Sequence, residues 1–505
     1  MTAIAFDNTY ARQLEGFHVP WKPATAPAPR LLYANTALAA ELGLDPALLQ
    51  GPQAAATWAG NQLPEGAEPI AQAYAGHQFG GFSPQLGDGR ALLLGEVMDT
   101  SGRRRDIAFK GSGRTPFSRG GDGKAAVGPM LREVLIGEAM HALGIPTTRA
   151  LAVVATGERV MRELPLPGAV LTRVAASHLR VGTFQFYAAR GDLARLRQLT
   201  DYTIHRHDPA LAGRPDAPLA LLQAVAQRQA RLIAQWMNVG FIHGVMNTDN
   251  MALSGETIDY GPCAFMEAYN PAAVFSSIDH GGRYAYANQP HIARWNLARF
   301  AETLLPLIAG SEEEADTQRA VEQAMAVIDG FPALYEAALL DGQRAKLGLV
   351  AGSGDDAQDR QLAADWLALL EAQAVDFTLG WRRLADAAEG REQALLALFT
   401  DAAPLQAWLQ RWRQRADLPL AQDGVVSEAT TQRAAAMRRA SPFVIPRNHR
   451  VEEALTAATM DDDLQPFQRL LAALQQPFSE TPELLPYGQP APAAVTACYQ
   501  TFCGT

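Results

Sequence analysis

Short apolar runs rich in β-branched residues recur between residues 90 and 175, and they predict strands. The four clearest are ALLLGEV (91–97), DIAFKGS (106–112), ALAVVATGERVMRE (150–163) and GAVLTRVA (168–175). One helix lies among them: in VGPMLREVLIGEAMHAL (127–143) the apolar positions recur at helical spacing, and Gly144 with Pro146 ends the pattern. The pattern predicts a β-rich region with one embedded helix.

Helical spacing dominates after about residue 186. The strongest helix is LALLQAVAQRQARLIAQWMNVG (218–240), which Gly240 stops, and further amphipathic helices are predicted over 365–384 and 405–416. Three other stretches are predicted from their Pro, Gly and polar content. They are an extended N-terminal arm leading into a short helix at 34–42, a flexible surface loop at 351–359 and an extended Pro-rich segment at 479–494.

The order of these elements predicts an α+β protein with a two-lobed fold like that of protein kinases. We expect four parts: an N-terminal arm and extension, a β-rich lobe with one embedded helix, a helical lobe, and a C-terminal helical extension with its tail. Their predicted bounds are 1–73, 74–180, 181–350 and 351–505. The likeness to kinases is at this point one of layout, which does not establish function.

Length and charge narrow the class of protein and its partners. A chain of 505 residues is too long for one compact core. Its net charge of −10 makes nucleic acid an unexpected partner, because binding a polyanion needs a strong basic patch. No stretch is long and apolar enough to cross a bilayer, and the N-terminus has no signal or transit pattern. We therefore expect a cytoplasmic protein without a membrane partner.

The stretch HGVMNTDNM (243–251) is similar to a kinase catalytic loop with one residue changed. In kinases the sequence of this loop is H-R-D-x-x-x-x-N, and His243 and Asn250 have the spacing of its histidine and asparagine. The position of the kinase aspartate is held by Val245, and an aspartate stands instead at 249. A conventional phosphotransferase is disfavoured, because a kinase needs its aspartate at that position.

A metal site is predicted from Asn250 and from Asp259, which opens DYG (259–261) nine residues later. Kinases hold Mg²⁺ with a loop asparagine and the aspartate of D-F-G. An amide oxygen and a carboxylate suit a hard cation and leave positions for phosphate oxygens and water. Each residue alone could simply belong to a turn; the spacing of the pair favours the metal.

Several basic residues and glycines are candidates for binding phosphate. Lys110 ends a predicted strand, and Glu133 in the following helix is its better candidate partner, ahead of Glu138. Arg173 and Arg180 follow in and after a later strand, where an arginine needs an anionic partner. Two glycine-rich stretches, GDGR (87–90) and GSGRTPFSRGGDGKAAVG (111–128), could let backbone approach phosphates, although neither is a Walker loop. A surface lysine and structural arginine–carboxylate pairs are the alternatives.

Long motifs identify a family that this sequence resembles, the selenoprotein O family, also called SelO or YdiU. They are HQFGGFSPQLGDGRA (77–91), DIAFKGSGRTPFSRGGDGKA (106–125), LREVLIGEAMHALGIPTTRAL (131–151), HGVMNTDNM (243–251) and DYGPCAFM (259–266). The resemblance implies a kinase-like fold that binds ATP inverted relative to kinases. It also implies transfer of AMP, not phosphate, to Ser, Thr or Tyr hydroxyls of proteins, with release of pyrophosphate.

The resemblance also implies a role for each candidate residue. Asp249 would accept the hydroxyl proton, Asn250 and Asp259 would hold Mg²⁺ or Mn²⁺, and Glu133 would pair with Lys110. The remaining residues would bind the ATP together with Asp259: Gly87, Gly89, Arg90, Lys110, Asp122, Gly123, Arg173 and Arg180.

The three cysteines form neither a disulfide framework nor a CxxC zinc site. Many family members carry Cys or selenocysteine third from the C-terminus, and Cys503 matches that position. Some family members also carry a cysteine in the segment after DYG as a candidate partner, but the corresponding stretch here, NPAAVFSSIDH (270–280), has serines. A regulatory disulfide of Cys503 with Cys263 or Cys498 is therefore a hypothesis, as is redox control.

Three alternatives to AMP transfer remain open: a conventional ATP phosphotransferase, UMP transfer from UTP, and a scaffold that binds nucleotide without catalysis. The last is disfavoured because a scaffold has no need of complete metal and phosphate ligation. The sequence names neither the substrate proteins nor the choice between Mg²⁺ and Mn²⁺. It also leaves the oligomeric state open, and a monomer is only a working expectation.

Overall fold

An antiparallel sheet forms the framework of the first part of the chain. The computed structural model describes residues 4–349, 355–418, 426–496 and 499–502. The strands of the described residues are β1 (His18–Pro20), β2 (Arg30–Ala34), β3 (Ile70–Gln72), β4 (Gly76–Gln78), β5 (Gly81–Ser83), β6 (Ala91–Met98), β7 (Arg104–Lys110), β8 (Ala125–Ala126), β9 (Arg149–Met161), β10 (Pro165–Ala175), β11 (Phe241–Ile242) and β12 (Ala264–Phe265).

Helices make up most of the remainder, so the fold is mixed α+β. In the first half they are α1 (Thr9–Gln13), α2 (Thr36–Glu41), α3 (Gly51–Trp58), α4 (Val127–Ala142), α5 (Val181–Ala188), α6 (Leu193–His207) and α7 (Ala217–Val239). The later ones are α8 (Gln289–Ala309), α9 (Glu314–Leu347), α10 (Asp356–Ala372), α11 (Phe377–Ala388), α12 (Gln393–Leu396), α13 (Ala402–Ala416), α14 (Glu428–Ala440), α15 (Asn448–Met460), α16 (Gln465–Leu474), α17 (Leu485–Gly488) and α18 (Ala493–Thr496).

The main sheet runs in the order β1-β3-β6-β7-β10-β9-β2, with β8 added to β10. Both of its faces are covered. One face packs on α4 and joins the large core that continues into the helical region. The other packs under α2 and α3 and buries Trp58 and Phe109. Residues 1–73 thus supply three strands of the sheet as well as its outer cover, and the four-part division of the chain stays a prediction.

The register of β7 with β10 brings two basic residues to one face of the sheet. Lys110 lies opposite Leu171, and Arg173 lies opposite Ala108. Side chains of paired residues share a face, and residues two apart on a strand share it too. Lys110 and Arg173 are therefore diagonal neighbours on the same face.

The embedded helix and the long helix after the sheet both match their sequence patterns. α4 follows β8 directly and ends ahead of Gly144, whose φ is +77°. α7 ends at Gly240, whose φ of +73° suits glycine and where a Cβ would press on the ring of Phe377. The antiparallel pair β11 and β12 follows, and the 243–251 loop lies between its strands. α7 thus leads directly into β11 and that loop.

The C-terminal region differs from its prediction in three places. The single helix predicted over 365–384 is wrong: α10 ends at Ala372, and Asp376 begins α11 by accepting a hydrogen bond from the amide of Leu379 (2.8 Å). The loop predicted at 351–359 is helical from Asp356, and residues 350–354 lie outside the described part of the chain. The segment 479–494, predicted as extended, contains α17 and the start of α18. Among the described residues, no helix combines the length and apolar character needed to cross a bilayer.

Candidate active site

A cleft of about 1100 Å³ opens where β6, β7 and β10 meet the 243–251 loop. Every candidate for nucleotide, metal or proton binding lines it, although they come from distant parts of the chain. They are Gly87, Gly89, Arg90, Lys110, Asp122, Gly123, Glu133, Arg173, Arg180, Asp249, Asn250 and Asp259. Such a large concave site with converging charged groups is the usual form of a ligand site.

Asp259 lies at the centre of the charged groups in this cleft. Its Oδ1 is 2.6 Å from Lys110 Nζ and 2.8 Å from Arg173 Nη1, and its Oδ2 is 3.9 Å from Arg180 Nη1. Burial alone would raise the pKa of Asp259, but these three cations hold the pKa well below its usual value. The backbone of Asp259 has a φ of +64°, a strained conformation that is common at functional sites.

Lys110 is held from the other side by α4. Its Nζ lies 2.7 Å from Glu133 Oε1, and both side chains are buried. The same carboxylate oxygen accepts a hydrogen bond from the amide of Tyr260 (3.1 Å). Glu133 therefore connects the strand lysine, the helix and the segment after Asp259 in one arrangement.

Arg180 is held by the 243–251 loop and by an aromatic ring. Its Nη1 donates to the carbonyl of Asp249 (2.9 Å), and its guanidinium lies 4.5 Å from the centre of the Tyr74 ring. Together with Lys110 and Arg173 it gives three buried cations around Asp259, and Glu133 is a second carboxylate bound to Lys110. Three cations directed at one point of the cleft suit a ligand with several negative charges, such as a polyphosphate.

Asp249 has one carboxylate oxygen free. Oδ2 accepts from Gln78 Nε2 (3.1 Å), while Oδ1 is buried and has no hydrogen-bond partner among the described residues. Burial raises the pKa of Asp249 to about 6, despite the nearby charge of Arg180. A buried acceptor without a partner is costly, which makes Asp249 a candidate for accepting a proton from a hydroxyl bound in the cleft that it lines.

The donor set fits a hard divalent cation shared with phosphates. Asn250 uses its amide nitrogen to donate to the carbonyl of Val245 (3.0 Å), which leaves its amide oxygen available. Asp259 Oδ2 has only the distant Arg180 as its described partner, so that oxygen is also available. The described residues contain no cluster of three or more His, Cys, Asp or Glu that could enclose a metal by itself. Two protein oxygens with phosphate completing the shell is the usual Mg²⁺ arrangement.

The two glycine-rich stretches form another wall of the same cleft. Gly123 has a φ of +66°, and a Cβ there would lie 2.2 Å from the carbonyl oxygen of Gly113. Gly87 has a φ of +118° and packs against Phe117. Asp122 is bound by Arg162 at 2.9 and 3.2 Å. The candidate glycines are thus required by the close packing of two loops, and Asp122 has its own cation.

Cys263 is a buried thiol that directly follows Gly261 and Pro262, two residues that line the cleft. Its Sγ donates to the carbonyl of Tyr260 (3.2 Å), and burial raises its pKa to about 11, so it is protonated at neutral pH. Thr501 of the C-terminal tail donates to the carbonyl of Pro262 (2.7 Å). Cys498 and Cys503 lie outside the described residues, so the disulfide stays a prediction.

Four residues of the site were not predicted from the sequence. Gln78 contacts Asp249, Tyr74 lies under Arg180, Arg162 holds Asp122, and His178 accepts a hydrogen bond from Arg173. Gln78 lies in a motif quoted above, and His178 lies between Arg173 and Arg180. Proximity in the sequence is therefore the only signal that could have pointed to either of them.

Together, the fold and the cleft define an α+β protein whose buried cations are arranged for a polyphosphate ligand. The family model described as "Protein adenylyltransferase SelO" matches residues 1–475. A protein named protein nucleotidyltransferase YdiU from Chromobacterium violaceum is 63% identical over 96% of this chain and 99% of its own. Proteins of that name from Cereibacter sphaeroides and from a Mycobacterium species are 60% and 55% identical, covering at least 99% of each chain. The chain belongs to the SelO family of protein adenylyltransferases, as its motifs indicated, and is an enzyme of the nucleotidyltransferase class.

Proposed function

We propose that this enzyme transfers AMP from ATP to Ser, Thr or Tyr hydroxyls of proteins and releases pyrophosphate. The observation that carries the proposal is that one cleft holds both groups that the reaction needs. Lys110, Arg173 and Arg180 surround Asp259, and the carboxylate of Asp249, whose Oδ1 has no hydrogen-bond partner among the described residues, lies in the loop after β11. The valine at 245 supports AMP transfer over conventional phosphate transfer.

In this reaction the acceptor oxygen attacks the α-phosphorus, and the bond from that phosphorus to the oxygen bridging to the β-phosphate breaks. The acceptor proton passes to Asp249, and the electron pair leaves on pyrophosphate. The cations Lys110, Arg173 and Arg180 would bind the β- and γ-phosphates, on which negative charge increases. The nucleotide would then bind with its phosphates inward, inverted relative to kinases.

Asn250 and Asp259 would hold the divalent metal, Mg²⁺ or Mn²⁺. When bound, the metal supplies positive charge that neutralises phosphate oxygens. The residues of the chain would orient the nucleotide around it: Lys110 from β7, and Arg173 from β10. Positioning contributes much of the catalysis in such transfers.

Three further points belong to the same proposal. A kinase-like arrangement of the two regions is supported by the Lys110–Glu133 pair and by Asn250 preceding Asp259. A cytoplasmic location accords with ATP as substrate. The partners would be ATP and protein substrates, with no nucleic acid or membrane.

The test follows two radioactive labels in separate reactions. The enzyme is incubated with Mg²⁺ or Mn²⁺, a mixed protein extract and ATP labelled at the α- or the γ-phosphate. We expect protein-bound α label without γ label. Asp249→Asn should reduce the transfer at least about 10²-fold, whereas Asp201→Asn, an exposed carboxylate on α6, should not.

Protein-bound γ label alone would mean phosphate transfer and would refute the proposal. The same assay with α-labelled UTP tests the alternative of UMP transfer. Faster incorporation from UTP would mean that UTP, and not ATP, is the donor nucleotide. ATP binding without transfer of either label, under both metals, would support a non-catalytic role.

A further inference from the structure

A buried chain of polar contacts leads from α6 to Arg173 in the cleft. Arg206 Nη2 is 2.5 Å from Asp106 Oδ1, and the other oxygen, Oδ2, is 3.0 Å from Nδ1 of His178. His178 Nε2 is in turn 3.2 Å from Nε of Arg173. All four side chains are at least nine-tenths buried. His178 and Asp106 do not line the cleft.

The chemistry of the contacts determines the protonation of His178. A guanidinium only donates hydrogen bonds, so the ring nitrogen that faces Arg173 must accept one. The single proton of the neutral ring then lies on Nδ1 and is donated to Asp106. Burial, the charge of Arg173 and that of Arg180 lower the pKa of His178 to about 4 even though Asp106 opposes this, so the ring is neutral at neutral pH.

We propose that His178 is a positioning residue, which holds the guanidinium of Arg173 in the orientation that binds the leaving phosphates. Three donor positions of Arg173 have distinct uses. Nε is bound by His178, and Nη1 by Asp259 at 2.8 Å. Nη2 has no acceptor among the described residues, so it is available to a phosphate oxygen in the cleft that Arg173 lines.

The remainder of the chain holds His178 itself in place. Its backbone amide also donates to Asp106 Oδ2 (2.9 Å), so the ring and the main chain of His178 share one carboxylate oxygen. Asp106 is opposite Ala175 in the register of β7 with β10, and Arg206 binds both Asp106 and Glu96. Rotation of the imidazole would therefore break its contacts with two elements, β7 through Asp106 and β10 through Arg173. The fixed ring in turn holds Nε of Arg173, while Asp259 holds Nη1.

This inference rests on the proposed AMP transfer, and kinetics of single and double variants test it. His178→Leu removes the acceptor, and we expect kcat for α-label transfer to fall about 10- to 100-fold, as misplaced catalytic groups do. His178→Gln retains an acceptor and a donor and should keep kcat within about threefold. In an Arg173→Ala background, His178→Leu should have no further effect beyond about twofold, because the group that it positions is gone.

His207 provides a matched control. It is a second imidazole in a polar contact, with Nε2 2.7 Å from Ser177 Oγ, and it does not line the cleft. His207→Leu, the same substitution at that site, should leave kcat unchanged. A general loss of packing would lower kcat in His178→Leu and in His207→Leu alike, and the loss would persist in the Arg173→Ala background.

Nitrogen-15 NMR of the histidine-labelled wild-type enzyme tests the tautomer without any assay of activity. The signal that disappears in His178→Gln should show a proton on Nδ1 and none on Nε2. A protonated Nε2 at neutral pH would overturn the proposal. Because this measurement uses the wild type and His178→Gln, it tests the proposal even if His178→Leu does not fold. His178→Leu with wild-type kcat, or with its full loss retained in the Arg173→Ala background, would overturn it too.

The outcomes also separate this inference from the proposed function. Transfer of γ label by the wild type would refute AMP transfer and with it the assignment of the phosphates. Transfer of α label that falls in Arg173→Ala but not in His178→Leu would refute the positioning role alone.

Discussion

Lys346 is buried at the end of α9 without a carboxylate among its described partners. Its Nζ lies 5.9 Å and 5.4 Å from the ring centres of Phe377 and Trp381. Burial lowers its pKa to about 7. The cation–π contacts with the two rings offset only part of the cost of removing an ammonium from water. The charged form of Lys346 therefore lowers the free energy of unfolding by an amount that depends on pH.

We predict that Lys346→Met stabilises the protein at about pH 6 and that the gain disappears near pH 10. The folded-state pKa of about 7 is below the usual 10.5, so between these values the unfolded chain binds more protons. The free energy of unfolding of the wild type therefore rises with pH across that range. The variant should gain up to about 4 kcal/mol at the lower pH, measured by urea denaturation. Lys22→Met, an exposed lysine, is the control, and an equal gain at both pH values would contradict the prediction.

At the scale of elements, the hairpin of β4 and β5 determines the space around Asp249. The amide of His77 donates to Thr248 Oγ1 (2.7 Å), and the amide of Phe79 donates to Asn247 Oδ1 (3.1 Å). A Cβ on Gly76 would lie 2.8 Å from Asp249 Oδ1. The hairpin thus lies so close to the 243–251 loop that a Cβ at 76 would force the Asp249 side chain to move.

We predict that Gly76→Ala lowers the proposed AMP transfer about 10²-fold, because the methyl group displaces the Asp249 carboxylate, the proposed proton acceptor. Gly81→Ala is the matched control in the same hairpin, since the nearest atom to its Cβ would be at an ordinary 3.6 Å. It should retain transfer close to that of the wild type. α-Label incorporation and thermal melting are measured together. Equal activity in the two variants would show that Asp249 has room to move.

Elements whose pattern is local could be predicted from the sequence, and those decided by tertiary contacts could not. The four long strands have their apolar runs within their own residues, and α4 and α7 have helical periodicity with a glycine, Gly144 or Gly240, just beyond the end. The break between α10 and α11 depends on Asp376, which caps α11 while the distant Arg447 binds its carboxylate. The pairing of β1 with β3 likewise joins residues about fifty positions apart.

The same division applies to the candidate site. Its charged members could be chosen from motif spacing, and all of them line the cleft. Gln78 and His178 could not be assigned, because an amide or a neutral imidazole gains a role only from the group that it faces. For His178 that group is a guanidinium in another element, which no local pattern encodes.

At the scale of the whole molecule, the C-terminal region shares one hydrophobic core with the region around the cleft. α15 and α16 pack on α4, and Arg132 of α4 donates to the carbonyls of Gly261 (3.0 Å) and Cys263 (2.6 Å). Arg447 lies between α11, α15 and the segment after β12. It is fully buried and binds Asp376 (2.6 Å) and Glu267 (2.7 Å). The described helices after residue 355 are therefore part of the scaffold of the site.

We predict that Arg447→Met destabilises the whole chain by about 3–5 kcal/mol, because it leaves two buried carboxylates without their cation. Arg450→Met, which removes only a surface pair with Glu453, should cost less than about 1 kcal/mol. Because the core is shared, tryptophan fluorescence and binding of a fluorescent ATP analogue should be lost at the same urea concentration in each protein. Four fully buried tryptophans after residue 355 report on the C-terminal region. If fluorescence is lost at a lower urea concentration while the analogue still binds, then the C-terminal helices unfold separately and the cleft does not depend on them.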